Sequence, residues 1–109
     1  MKTKRILILI LLFIPVLSFA GEIYGTIKGN DGKALTNQVV QIKQNDKVMA
    51  SDTIDVNGYF TVTVKELGKF SLEVVGYKDA GFDVFSSNNS TRYNLLMTKA
   101  GDKWILKSL

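Results

Sequence analysis

The chain has no cysteine, no histidine, a single proline and a single tryptophan in 109 residues. Without cysteine there is no disulfide framework, so a secreted domain of this size has to rest on its apolar core. The same absence removes a thiol nucleophile and any lipid-anchoring Cys beside a leader cut. The lack of imidazole removes the commonest general base and the usual zinc ligand. Most hydrolytic machinery is excluded, and no motif for a cofactor or a metal is present. The one proline, Pro15, precedes the strand-forming region, so no proline guards a strand edge downstream of it. No segment carries a helical period of apolar residues.

What is there begins with a leader. Lys2, Lys4 and Arg5 form a basic start, Ile6 to Ile14 is an unbroken apolar run, and Pro15 ends it. Ser18 and Ala20 then put small residues at the two positions that a signal peptidase reads before a cut ahead of Gly21. The apolar run falls short of the ~20 residues that span a bilayer. Residues 1–20 are therefore expected to be a cleavable signal peptide and 21–109 one exported domain, periplasmic or on the cell surface, with no stable membrane insertion after cleavage. Three of the 14 basic side chains leave with the leader, and the formal charge falls from +4 to +1. The lysines that remain are scattered among Asp and Glu, which is a solvated surface and not the clustered basic face that binds nucleic acid.

From Glu22 onward the pattern has a period of two. Ile23 and Ile27 alternate with Tyr24 and Thr26. Val40 and Ile42 alternate with Gln41 and Lys43. The cleanest stretch is Ser51 to Tyr77, where Phe60, Val62 and Val64 face one way against Thr61 and Thr63, and Phe70, Leu72 and Val74 repeat the pattern against Ser71 and Glu73. Alternation with β-branched and aromatic residues marks strands with one dry and one wet face. Gly29-Asn30-Asp31-Gly32, Asn45-Asp46, Asn57-Gly58 and Ala100-Gly101-Asp102 supply the turns, and Asn57-Gly58 reads as the tight turn of a central hairpin. Lys47 to Ile54 is a weaker strand, expected at an edge. Phe82 to Phe85, Thr91 to Met97 and Lys103 to Leu106 complete the set. Seven or eight short strands at this spacing predict an all-β, antiparallel Greek-key sandwich.

The order of these features resembles the carboxypeptidase regulatory-like domain. The residues that carry the resemblance are Ile23-x-Gly25-x-Ile27, Asn30-Asp31-Gly32 with Leu35 after it, and the Val40/Ile42 strand. They continue with Thr53-x-Asp55-x-Asn57-Gly58-Tyr59-Phe60, Leu67-Gly68-Lys69-Phe70-x-Leu72 and Gly76-Tyr77. The resemblance covers most of residues 21–109. It implies a prealbumin-like (transthyretin-like) sandwich and a non-catalytic module of the bacterial envelope, usually attached to an enzyme, an adhesin or an outer-membrane receptor. Two related sandwiches are set aside on residues. The collagen-adhesin repeats need an acid where Val74 stands for their internal isopeptide, and Glu73 falls on the opposite face. The hydroxyisourate hydrolases work through histidines, which this chain lacks.

Candidate sites follow from the same residues. Asp52, Asp55 and Asn57 cluster before Gly58, but a calcium loop would want Asp at Thr53 and Glu at Val64, so they read as turn-shaping residues. Tyr24, Tyr59 and Trp104, with Tyr77, could offer an aromatic platform to a glycan or a peptide. The bland alternative is that Tyr77 and Trp104 pack at the ends of the sandwich. Asn88-Asn89-Ser90-Thr91 contains glycosylation sequons that also serve as a plain polar loop. The leading expectation is a binding module for an envelope protein or a glycan, with homodimerisation through sheet edges as a side expectation. The alternatives are a structural subunit of an adhesion or secretion assembly and, less favoured, a hydrolase using carboxylates such as Asp52, Asp55 and Glu73 alone.

Overall fold

The computed structural model describes residues 21–109, and the expected leader lies outside them. Eight strands form: β1 (Glu22–Lys28), β2 (Val39–Gln44), β3 (Lys47–Thr53), β4 (Tyr59–Thr63), β5 (Gly68–Val74), β6 (Gly81–Ser86), β7 (Thr91–Ala100) and β8 (Lys103–Ser108). They make two four-stranded sheets, ordered β4-β1-β7-β8 and β3-β2-β5-β6. The all-β sandwich read from the alternation is the fold, and β3 is an edge strand as its weak pattern suggested. One pairing departs from an all-antiparallel scheme: β1 and β7 run parallel, Ile23 opposite Thr91 through Lys28 opposite Leu96.

The alternation decides the packing. Ile23 and Ile27, Val40 and Ile42, Phe60, Val62 and Val64, and Phe70, Leu72 and Val74 are all buried, joined by Val84, Leu95, Met97 and Leu106 between the sheets. Each large apolar side chain taken out of water stabilises the fold by ~1.5–3 kcal/mol before entropy is charged against it. Leu35 packs against this core, as expected, where an isolated bridge between Lys28 and Ala34 folds the β1–β2 connection over the end of the sandwich. Tyr93 points inward too. Its hydroxyl accepts the Phe85 N–H at 2.9 Å, and its ring meets Phe82 edge to face at 6.0 Å.

The glycine of the Ile-x-Gly-x-Ile stretch has a definite task. Gly25 stands between Phe60 on β4 and Tyr93 on β7, and a Cβ placed on it would come 1.7 Å from the Tyr93 carbonyl oxygen. Only glycine lets the parallel strand pass this closely.

The expected central hairpin is corrected. Asn57-Gly58 does sit in a tight turn, closed by Gly58 N–H to the Asp55 carbonyl at 3.0 Å and Asp55 N–H to the Tyr59 carbonyl at 3.0 Å. Only Gly58 of the pair takes a positive φ, 87°, so this is not the mirror-image turn that continues two paired strands. Beyond it the strands part. Buried Ile54 bonds back to Gln38 and Asn37, β3 joins β2, and β4 joins β1 in the other sheet. The two-residue hairpin turn is instead Asn45-Asp46, with φ of 53° and 64°, between β2 and β3.

Candidate binding site

Where β1 leaves its sheet, the backbone tightens. Gly29 N–H donates to the Lys33 carbonyl at 2.7 Å, Gly32 N–H to the Gly29 carbonyl at 2.9 Å, and Asp31 Oδ1 accepts the Lys33 N–H at 3.0 Å. A side-chain oxygen that takes the N–H two residues on holds a turn in one shape, so Asn30 and Asp31 stand at a fixed rim. Across from them the β5–β6 connection folds through Tyr77 N–H to the Val74 carbonyl and Ala80 N–H to the Tyr77 carbonyl. With Ala80 buried, the Tyr77 ring is anchored on its own loop. The third wall comes from β8, where Trp104 lies on the inward side opposite Lys99.

These walls enclose a cleft of about 380 Å³ lined by Gly29, Asn30, Asp31, Leu35, Tyr77, Met97 and Trp104. Tyr77 and Trp104 meet edge to face, 5.1 Å between centroids and 84° between planes, and the Lys99 ammonium lies 5.5 Å from the Trp104 ring centre. Perpendicular rings brace each other, and the cation draws on the electron-rich indole face. The result is an apolar floor with a carboxamide and a carboxylate at its lip. Tyr77 also borders a second hollow, lined by Gln41, Lys43, Glu73, Val75 and Lys78 among others.

The residues singled out in the sequence divide into two places. Tyr24 and Tyr59 share the outer face of the first sheet, diagonal across the β1–β4 pair where Tyr24 faces Thr61 and Thr26 faces Tyr59. Tyr24 is half-buried and Tyr59 is 49% exposed among threonines. Trp104 does not join them. It occupies the inward parity of β8 and pairs with Tyr77 at the end of the sandwich, so the three residues do not form one platform. Leu35, Asn30 and Asp31 complete the Trp104 site, and the sequence had marked them only as a turn and a core contact.

The acidic residues before Gly58 are engaged with backbone. Asp55 Oδ1 accepts from Asn57 N–H at 2.9 Å and Tyr59 N–H at 3.0 Å, while Asp52 Oδ2 accepts the Thr61 N–H at 2.9 Å. Asp52 stands opposite Val40 on β3, so its carboxylate bridges the seam between the edges of the two sheets. Glu73 pairs with Lys43 at 3.2 Å on the outer face of the second sheet.

No family model matches the chain, and no curated protein does. Among solved structures, part of a 9R-lipoxygenase from Cyanothece is similar, with a TM-score of 0.48 and 13% identity over 73% of this chain. The chain is a small two-sheet all-β sandwich domain. It corresponds to 16% of the lipoxygenase, and nothing of that protein's activity carries over to it.

Proposed function

We propose that this chain is an exported, non-catalytic β-sandwich module of the carboxypeptidase regulatory-like type, acting by surface contact with a glycan or a protein of the bacterial envelope. The observation that carries this reading is the Tyr77–Trp104 cleft. An aromatic floor with a fixed Asn30–Asp31 lip suits a sugar ring, which has apolar C–H faces and equatorial hydroxyls that hydrogen-bond side-chain oxygens and amides. The family resemblance is supported by where its residues fall: Gly25 lets β7 approach β1, Asp55 and Gly58 make the inter-sheet turn, and Tyr77 builds one wall of the cleft. A carboxylate-only hydrolase is disfavoured because Asp52 and Asp55 already hold backbone N–H groups, and Glu73, on β5 two strands over from Asp52 in the same sheet, is paired with Lys43.

The test uses Trp104, the only tryptophan of the chain. Titration of residues 21–109 with a panel of soluble oligosaccharides should give a saturable change in Trp104 emission for at least one sugar. Trp104→Ala and Asp31→Ala should abolish binding, measured calorimetrically, without loss of folding. A flat response across the panel, together with no envelope protein crosslinked to a photoreactive group at Tyr77, would remove the proposal. So would turnover of a glycoside that disappears on substituting Asp52, Asp55 or Glu73.

A further inference from the structure

The four sheet edges are not equivalent. On β4 three of the outward backbone groups are already taken: Tyr59 N–H and carbonyl by Asp55, and Thr61 N–H by Asp52. On β3 the register slips at Met49, since Ile42 faces Ala50 but Lys43 faces Val48, and a bulge bends an edge out of line. On β6 the outward Phe85 N–H is held by the Tyr93 hydroxyl. Edge strands are commonly blunted by such devices.

β8 has neither a bulge nor a side-chain cap on its backbone, and its only guard is the charge of Lys103 and Lys107. Its six residues pair with β7 in one unbroken register from Ser108 opposite Leu95 to Lys103 opposite Ala100. Leu109 N–H bonds to the Asn94 carbonyl, which sets the alternation: Lys103, Ile105 and Lys107 turn their backbone groups toward β7, and Trp104, Leu106 and Ser108 turn theirs away. Among the described residues nothing bonds to those three outward N–H groups. The side chains beside this open edge are Lys103, Ile105 and Lys107, all exposed on the outer face, with Ile105 at 44%. The outward positions of β7 and β8 hold three cations, Arg92, Lys103 and Lys107, and no carboxylate. Both ion pairs among the described residues lie on the other sheet.

We infer that the β8 edge accepts an extended segment of another protein as a ninth strand, and that the segment carries carboxylates two residues to either side of an apolar residue. The main-chain bonds would come from Trp104, Leu106 and Ser108, and the side-chain selection from Lys103, Ile105 and Lys107. Charge excludes the simplest alternative. A second copy placing its own β8 here would gather four lysines on one face around two isoleucines, whereas an acidic strand puts opposite charges across from each lysine. This goes beyond the cleft reading and does not depend on it, because it uses the backbone of β8 and the outer face, not the Trp104 side chain.

The probes are two labelled peptides, Thr-Glu-Thr-Val-Thr-Glu-Thr and its Lys counterpart Thr-Lys-Thr-Val-Thr-Lys-Thr, titrated into residues 21–109 and followed by anisotropy and by amide exchange. The acidic peptide should bind about tenfold more tightly than the basic one, from two cross-strand attractions gained and two repulsions avoided, and should slow exchange at Trp104, Leu106 and Ser108. Lys103→Glu with Lys107→Glu should invert the preference. Ser108→Pro removes an N–H that the β7–β8 ladder does not use, so it should leave the melting temperature unchanged and weaken the acidic peptide several-fold. Trp104→Ala should spare the peptide while abolishing sugar binding. Equal binding of the two peptides, no added protection on β8, or a concentration-dependent dimer that Ser108→Pro dissolves would overturn the inference.

Discussion

Replacing Gly25 by alanine drives a methyl group at the carbonyl of Tyr93. The added Cβ would stand 1.7 Å from that oxygen and 2.6 Å from its carbon, both backbone atoms that no rotamer change can move. Real Cβ atoms keep at least 3.0 Å, so β1 and β7 would have to separate by roughly 1.3 Å, the 3.0 Å limit less the 1.7 Å approach. That strains six consecutive pairs joining the two halves of the first sheet. Overpacking of this kind costs about 1–3 kcal/mol and the backbone conformation at φ 154° about as much again, for a total of roughly 2–6 kcal/mol. For a domain of this size that lowers Tm by ~8–48 °C, a large part of a typical total stability of ~5–15 kcal/mol. Gly32→Ala is the control. Gly32 also has a positive φ, 81°, but its Cβ would meet nothing within 4 Å, so only the ~1–2 kcal/mol backbone penalty applies. Urea unfolding followed by Trp104 emission and circular dichroism measures both. If Gly25→Ala falls within about 1 kcal/mol of Gly32→Ala at equal m-value, the close parallel approach is not what glycine serves here.

Three further outcomes follow from single contacts. Asp55→Ala should lower stability by about 1–2 kcal/mol, because two turn N–H groups lose their acceptor, and Asp55→Asn should recover much of it, both read by chemical unfolding. Asp52→Ala should cost about 1 kcal/mol and, by freeing Thr61 N–H on the β4 edge, should raise self-association in sedimentation above that of the parent chain at the same concentration. Ser86 is 4% exposed and its Oγ has no partner among the described residues. Ser86→Ala should therefore leave Tm unchanged or raise it, by up to about 1 kcal/mol of stability. A loss of more than that would mean the hydroxyl is satisfied in solution.

The strand content was legible because it depends on a local rule. Successive side chains of a strand point to opposite faces, so Phe60/Val62/Val64 and Phe70/Leu72/Val74 declare a buried side without any knowledge of what they pack against. Turn residues with short polar side chains or no side chain declare the breaks in the same local way, at Asn45-Asp46 as at Gly29 to Gly32. The site was legible only in fragments. Trp104 and Tyr77 could be named as aromatic, yet their meeting at 5.1 Å joins strands and loops 27 positions apart in the chain.

What the sequence determined by itself is therefore the alternation, the breaks and the absence of thiol and imidazole chemistry, each a property of a residue and its neighbours. Which strand pairs with which was decided only by the tertiary structure. Asn57-Gly58 turns the chain in either arrangement, but burial of Ile54 beside β2 and of Phe60 beside β1 sends β3 and β4 into different sheets. The same assembly explains Gly25 through β7, assigns Asp52 and Asp55 to backbone N–H groups, and leaves β8 as the edge without a bulge or a side-chain cap. A single chain read residue by residue carries no record of such distant contacts, because their energies arise only when both partners are in place.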